Sequence, residues 1–254
     1  MFTRAIVRKP CKNLVYGIRD ANLGTPDYKR ALIQHANYVQ TLRYCGLEVK
    51  QLEACKDYPD SVFIEDIALL TEAFAVITNP GASSRRGETE GIREVLQEFY
   101  EDIFEIQPPG TLEAGDVMMA DDHFFIGLSG RTNRKGAEQL ISLLNKFGFS
   151  GSTIEIKNLL HLKTGVSYLE NNTMLVAPEL KGVPYFDGYN CIDVPTEEKY
   201  AANAVWVNGT LIVPNGYPIT LQKIKDAGYE HILTVDTSEF KKLDGGLSCL
   251  SLRF

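Results

Sequence analysis

The sequence predicts an α/β ring of five strand-strand-helix-strand units, closed by joining its two chain ends. Three observations carry that expectation. A polar signature recurs: Ser84, Arg86 and Gly91 return as Ser129, Arg131 and Gly136, at an offset of 45 residues each time. After each copy, apolar residues fall at helical spacings of three and four, first as Ile92, Val95, Leu96 and Phe99, then as Ala137, Leu140, Ile141 and Leu144. Before each copy stand two short apolar runs of hairpin length. A unit of this size cannot bury its own apolar face, so it must stack on neighbours, and a ring leaves no unpartnered end unit. An ordinary two-layer α/β sandwich, with only two units alike, is the alternative.

The elements follow in order. A strand at 5–7, a helix over 28–45 and a strand at 47–52 open the chain. Hairpins are expected at 67–70 with 75–78, and at 117–120 with 124–127 across Asp121-Asp122, residues suited to turns. A third hairpin pairs 166–169 with 174–177 across Glu170-Asn171-Asn172. In the fourth, 204–207 and 210–213 flank Asn208-Gly209, a pair that accepts the positive φ angles of a type I′ turn. Pro214-Asn215-Gly216 then leads to a helix around 219–227 and a strand around 232–235. The run 246–252 alternates apolar and small polar residues and is expected as the last strand, completing the N-terminal unit. Alternation would place Leu247, Cys249 and Ser251 on one face.

Composition narrows the class. The 254 residues are 44% hydrophobic and 23% charged, ordinary for a globular chain. The net charge of −7, from 26 Lys+Arg against 33 Asp+Glu, argues against nucleic acid as a partner and suits a cationic small substrate. Five scattered cysteines without a CxxC pair, and only four histidines, fit neither a disulfide framework nor a zinc ligand set. The first ten residues lack the apolar run of a signal peptide, and no stretch approaches the ~20 apolar residues of a spanning helix. The expectation is a soluble cytoplasmic protein that engages neither membrane nor nucleic acid.

Four polar islands are the candidate chemistry: Asp60 to Asp66 with Glu65, Thr111 to Asp116 with Glu113, Leu160 to Gly165 around His161, and Asp244 to Ser251 around Cys249. Each has a plain alternative. Carboxylates cap turns, a histidine between leucines can be a core residue, and a lone cysteine is usually buried packing. Their recurrence at comparable points of successive units would bring them to one central mouth. A thiolate is a nucleophile, and nearby positive charge favours it. An imidazole can give a proton to a leaving group and then take one from water. Surplus carboxylates oppose a thiolate unless they clamp a cationic substrate, and guanidinium matches carboxylates through forked hydrogen bonds. Two arginines in the same mouth would hold a carboxylate at the other end of that substrate. An arginine-like amino acid is the molecule so described.

At these residues the chain resembles the guanidine-modifying pentein superfamily, and within it the bacterial dimethylarginine dimethylaminohydrolases. The segments are Pro59-Asp-Ser-Val-Phe-Ile-Glu-Asp66, Ser84-Arg-Arg-Gly-Glu-Thr-Glu90, Glu113-Ala-Gly-Asp116, Ser129-Gly-Arg-Thr-Asn133, Leu160-His-Leu-Lys-Thr-Gly165, Tyr200-Ala-Ala-Asn203 and Asp244-Gly-Gly-Leu-Ser-Cys249. The resemblance spans residues 1–254 and implies a single catalytic domain with the five-bladed α/β propeller of ββαβ units. It implies Cys249 as nucleophile, His161 as acid and base, and Glu113 as a third catalytic residue. It also implies Asp66 and Glu65 along the guanidinium, and Asp60 at the α-amino group with the backbone carbonyls of Ile18 and Leu243. Arg85 and Arg131 would bind the α-carboxylate, although the internal repeat pairs Arg86 with Arg131. Residues 16–24 would be a mobile lid, and a homodimer is compatible with the family. No metal or organic cofactor is implied.

Lys163 refines the substrate. The related arginine and agmatine deiminases place Asp two residues after the histidine, where it grips guanidinium nitrogens. A carboxylate facing an N-methylated nitrogen loses its hydrogen bond and meets methyl groups. Lys163 in that position therefore favours methylated arginines, hydrolysed to citrulline and dimethylamine or methylamine through a covalent thiouronium on Cys249. An arginine deiminase, an amidinotransferase, or a non-catalytic binding ring on the same scaffold are the competing readings.

Overall fold

Five three-stranded sheets surround an axis in this computed structural model, which describes all residues 1–254. The first contains β1 (Arg4–Arg8) in the middle, β15 (Leu252–Arg253) inside and β2 (Glu48–Leu52) outside. The second holds β3 (Ala68–Leu70), β4 (Ala75–Ile77) and β5 (Ile103–Glu105); the third β6 (Val117–Ala120), β7 (His123–Leu128) and β8 (Ser150–Glu155). The fourth holds β9 (Val166–Tyr168), β10 (Thr173–Val176) and β11 (Asn190–Asp193); the fifth β12 (Val205–Val207), β13 (Thr210–Pro214) and β14 (Ile232–Val235). In every sheet the inner strand runs antiparallel to the middle one and the outer strand parallel to it.

A parallel neighbour requires a crossover, usually a helix. Helix α1 (Tyr28–Tyr44) serves the first sheet, α2 (Ile92–Leu96) the second and α3 (Arg134–Lys146) the third. The fifth uses a nine-residue helix, Pro218–Asp226, opened by Pro at its first position, where the missing N–H costs nothing. The side chains of Asp27 and Asn133 accept the N–H groups of Arg30 and Gly136 and so cap α1 and α3. The fourth crossover contains no α-helix. It turns through two 3-10 segments, Pro178–Leu180 and Pro184–Phe186, because Pro178, Pro184 and Gly182 interrupt helical hydrogen bonding.

The core explains why five units are needed. It consists of five apolar clusters, and each lies between two adjacent sheets. Phe74 and Val76 of the second sheet pack with Phe124 and Ile126 of the third under Leu140 and Leu144 of α3. Ala5 and Val7 pack with Val205 and Ile212 of the fifth sheet, which closes the circle. Truncating one such buried Leu or Phe to Ala costs about 2–5 kcal/mol.

The expected ring is therefore present, with Asn208 and Gly209 at φ 48° and 88° in the tightest hairpin, as the sequence requires. One expectation fails. The run 246–252 is not a strand: Ser248–Leu250 forms a 3-10 turn, and the strand begins only at Leu252. Leu247 and Leu250, three apart, are both buried, a turn-like period instead of strand alternation. No helix of the chain is long and apolar enough to cross a membrane.

Candidate active site

The polar islands converge where the sequence places them, at one end of the axis. Ile64–Ile67 and Ala114–Asp116 form short 3-10 turns just before inner strands β3 and β6. His161 immediately precedes the one-turn helix Leu162–Gly165 ahead of β9, and Cys249 lies in the turn ahead of β15. Four of the five inner strands thus deliver one functional turn each to the same mouth.

A small cavity there is bounded by Ile18, Asp60, Asp66, Arg85, Arg131 and His161, with Leu243 and Cys249 completing the wall. It measures about 30 Å³, room for a water or two. It opens past Arg131, Leu160 and Asp244 into an outer pocket of about 840 Å³ that also touches Asp20 and Leu23. Of ten sequence-selected site residues, eight line this inner cavity.

Glu113 sits behind it, fully buried, with its Oε2 2.8 Å from His161 Nε2 and 3.5 Å from Arg131 Nη1. Its other carboxylate oxygen accepts the Ala82 N–H at 3.0 Å. Asp66 accepts Arg85 Nη1 at 2.5 Å and the Gly115 N–H at 3.0 Å, and its Oδ1 lies 3.9 Å from His161 Nε2. Gly115 has no alternative: a Cβ there would stand 2.6 Å from His161 Nδ1 and 2.7 Å from Asp66 Oδ1. The neighbouring Asp116 accepts the Leu162 N–H at 2.9 Å and the Ser129 hydroxyl at 2.6 Å, which fixes the backbone just after His161.

These contacts set the protonation states. Burial pulls the His161 imidazole down, but Asp66, Asp116 and Glu113 more than reverse it and hold its pKa at about 9. Burial opposes ionisation of Asp66 and Glu113 as well. His161 and Arg85 outweigh it at Asp66, and the His161 hydrogen bond leads at Glu113, so both carboxyls titrate below their ordinary range. Cys249 behaves oppositely: burial, Glu65 and Asp66 push its thiol up to about 12, against the Gly246 N–H and Lys163, which lower it. At neutral pH the resting pair is therefore thiol and imidazolium. The imidazolium stands ready to donate, and the thiol needs added positive charge before it ionises.

Glu65 goes elsewhere. Its carboxylate accepts Lys163 Nζ at 2.7 Å and the Ser248 hydroxyl at 2.9 Å, with Arg253 Nη2 at 3.5 Å. It faces the opposite end of the axis beside Ser251 and Arg253, outside the cavity where the sequence set it along a guanidinium. Consecutive residues of a 3-10 turn point about a third of a turn apart, so Glu65 and Asp66 take different partners here. At position 18 the observed contact is the backbone N–H, which donates to both Asp60 oxygens at 3.0 and 3.2 Å. Arg86, the partner suggested by the repeat, donates to the Pro80 carbonyl at 3.2 Å and takes no part in the cavity wall, whereas Arg85 does.

Comparison with known proteins is decisive. The family described as "N,N dimethylarginine dimethylhydrolase, eukaryotic" matches residues 25–213. The N(G),N(G)-dimethylarginine dimethylaminohydrolase of Pseudomonas aeruginosa is 51% identical over 255 residues, covering all of both chains. The chain belongs to the dimethylarginine dimethylaminohydrolase family. The member from Streptomyces coelicolor is 34% identical over 98% of this chain and 96% of its own. A P. aeruginosa cysteine-to-serine variant solved with citrulline superposes with a TM-score of 0.98, at 50% identity and with full coverage of both chains. A histidine-to-glycine form of the enzyme, solved as an adduct with S-methyl-L-thiocitrulline, gives the same score, identity and coverage. At 21% identity the N-terminal domain of a cyanobacterial arginine dihydrolase shares the fold, with a TM-score of 0.86 over all of this chain and 98% of that one.

The sequence placed Asp116, Ser129, Asp244 and Ser248 in its polar segments but assigned none of them a role. Asp244 accepts the N–H groups of Asp20 and Ala21 at 2.6 and 3.2 Å from a backbone with φ 58°. The Asp-Gly-Gly spelling was the available signal, since Asp and Gly are the residues that tolerate such angles. The donor atoms of Asp66, Glu113 and His161 all lie within 4.8 Å of one another, a spacing a metal ion also uses. Here Arg85, Arg131 and the imidazolium already neutralise those carboxylates, so the donor set suits proton transfer beside an organic cation better than metal ligation.

Proposed function

We propose that residues 1–254 act as one catalytic unit that hydrolyses Nω-methylated arginines to citrulline and methylamine or dimethylamine. The single observation that carries this reading is the shared cavity. A thiol and an imidazolium face it together with Asp66 and Asp60, whose carboxylates suit a guanidinium and an amine, and with two arginines suited to a carboxylate.

The substrate cation supplies what the resting thiol lacks. A guanidinium seated on Asp66 offsets the negative field that holds Cys249 protonated, so binding favours loss of the thiol proton to solvent. The thiolate attacks the guanidinium carbon and forms a C–S bond. His161, charged at rest, gives its proton to the substituted nitrogen, and the C–N bond breaks as the amine leaves, with a cationic thiouronium remaining on sulfur. His161 is now neutral and takes a proton from water as its oxygen adds to the same carbon. Collapse of that adduct breaks the C–S bond as the hydroxyl proton passes to the departing sulfur, which releases citrulline and restores the resting thiol. Glu113, hydrogen-bonded to His161, orients the ring and stabilises its charged form, a fixed arrangement that needs no reorganisation during reaction.

Arg85 has little freedom for the substrate carboxylate. Its Nε and Nη2 are engaged by Glu88 and the Phe63 carbonyl, and Nη1 by Asp66. One remaining Nη1 proton, with the more exposed Arg131, forms the carboxylate end of the site. Lys163, held by Glu65, leaves no carboxylate where a deiminase would place one. Cytoplasmic residence fits five unpaired cysteines, absence of nucleic acid partners fits the acidic charge, and a homodimer is compatible with the family. Citrulline release from dimethylarginine, monomethylarginine and arginine, measured side by side, tests the substrate. Methylated substrates should dominate; preferred turnover of arginine would overturn the assignment.

A further inference from the structure

Asn203 belongs to the Tyr200-Ala-Ala-Asn203 segment, to which neither charge nor nucleophilicity assigns a role. Its side chain is 4% exposed and bridges two turns of the site. Oδ1 accepts the Ser248 N–H at 3.0 Å. Nδ2 donates to the Lys163 carbonyl at 2.8 Å and to the Ser248 hydroxyl at 2.9 Å. The orientation of the amide is chemically forced, because a backbone N–H needs an acceptor and a carbonyl needs a donor. The amide also lies flat against Gly246, where a Cβ would approach Oδ1 to 2.4 Å. Gly246 in turn directs its N–H at Cys249 Sγ, 3.4 Å away. One buried side chain therefore touches the residue before the nucleophile, the residue that donates to its sulfur, and the one-turn helix that starts at His161.

We propose that Asn203 is a positioning residue that sets the separation and orientation of Cys249 and His161. The inference rests on the functional reading above. No other common side chain fits the place. Aspartate keeps the bond to the Ser248 N–H but turns an oxygen toward the Lys163 carbonyl, leucine makes none of the three bonds, and glutamine is too long to lie against Gly246. A displacement near 1 Å of a reacting group can cost about 10²-fold in rate.

The test uses the full chain with Asn203→Asp and Asn203→Leu. Two readouts are steady-state turnover of dimethylarginine and the pH profile of Cys249 alkylation by 2-chloroacetamidine. The expected result is a kcat lowered by about 10- to 100-fold with KM within about threefold, and a displaced alkylation midpoint. A purely structural role would lower the melting temperature and leave both readouts unchanged per folded molecule, which would overturn the proposal. If neither variant folds, Ser248→Ala decides by the same readouts against Glu65→Gln, the control for the bond that Ser248 also gives Glu65: it should lower kcat by about fivefold or more below that control, and a kcat equal to the control would overturn the proposal. A parent enzyme that released no citrulline would refute the functional reading instead, and the alkylation profile would still judge Asn203.

Discussion

Asp66 and Asp60 line the same cavity, yet one belongs to its floor and the other to its rim, and their surroundings differ in kind. Asp66 is 2% exposed and held by a buried guanidinium, a backbone N–H and the neighbouring imidazolium. Asp60 is held at its carboxylate by a single backbone N–H from Ile18, and burial outweighs Arg85 and that N–H to push its carboxyl upward. The segment that reaches it is the most exposed part of the site: Tyr16 is 79% and Leu23 50% exposed. Breaking the floor costs about 3–5 kcal/mol, because it strands a buried charge. Opening the rim exchanges a few N–H···carboxylate bonds for bonds to water, at about 0.5–1.5 kcal/mol each. The floor is thus fixed before substrate arrives, and the strap over 16–24 can lift.

Substitutions that break this contrast should scale accordingly. Cys249→Ser and His161→Gly, on the floor, should lower citrulline release by about 10³-fold or more, with retained binding of citrulline by calorimetry. Full activity in either variant would remove that residue from the reaction.

The parental pH profile sharpens the floor's side. With its pKa held at about 9, His161 stays the acid through neutral pH, and kcat should fall as pH rises through about 9. The folded-state pKa exceeds the ordinary 6.5, so the stabilisation from this ion cluster is complete below 6.5 and is lost as pH rises through about 9. Paired kinetic and thermal-melt series across pH 6–10 measure both. A kcat that already fell as pH rose through about 6.5 would show that the three carboxylates do not control the ring.

Between floor and rim lies the pair behind the sulfur. Glu65 raises the Cys249 thiol and Lys163 lowers it. Glu65→Gln should therefore move the midpoint of thiol alkylation downward, on the order of one pH unit, and Lys163→Met should move it upward by a similar amount. Equal midpoints in all three proteins would mean the pair does not reach the sulfur. The smallest effect is expected at the rim. Asp244→Ala removes the acceptor of the Asp20 and Ala21 N–H groups and should raise KM by about three- to tenfold with kcat nearly unchanged. A collapse of kcat there would place Asp244 on the floor.

The sequence revealed the ring because its repeat is written in apolar spacing and in turn residues such as Asn208-Gly209, which act locally. It revealed Cys249, His161, Asp66 and Glu113 because the chemistry of their side chains is unusual at turns that recur. The strand expected over 246–252 was misread for a related reason: alternation over so short a run cannot be told from the period of a turn, and the hydrogen bonds that fix this one come from Asn203, 45 residues away. Glu65 was set along the guanidinium by the family resemblance alone, and its partners Lys163, Ser248 and Arg253, distant in sequence, had no signal of their own. The outer strands of the second, third and fourth sheets were not marked either. Glu105, Ser150 and Asn190 are exposed, and these strands lack the apolar density that betrays the middle strands. Contacts between remote polar residues leave no periodic trace, and they make up most of what the structure adds.

The central claim is that sulfur and imidazole act on one carbon through a bound intermediate. Intact-protein and peptide mass spectrometry of enzyme acid-quenched during turnover of dimethylarginine tests it most directly. The account predicts a transient mass increase equal to the substrate minus dimethylamine, located on Cys249 and no longer formed from dimethylarginine when His161, the acid for the leaving amine, is replaced by glycine. Citrulline formed at the parental rate with Cys249 unmodified throughout, or an adduct on another residue, would contradict it.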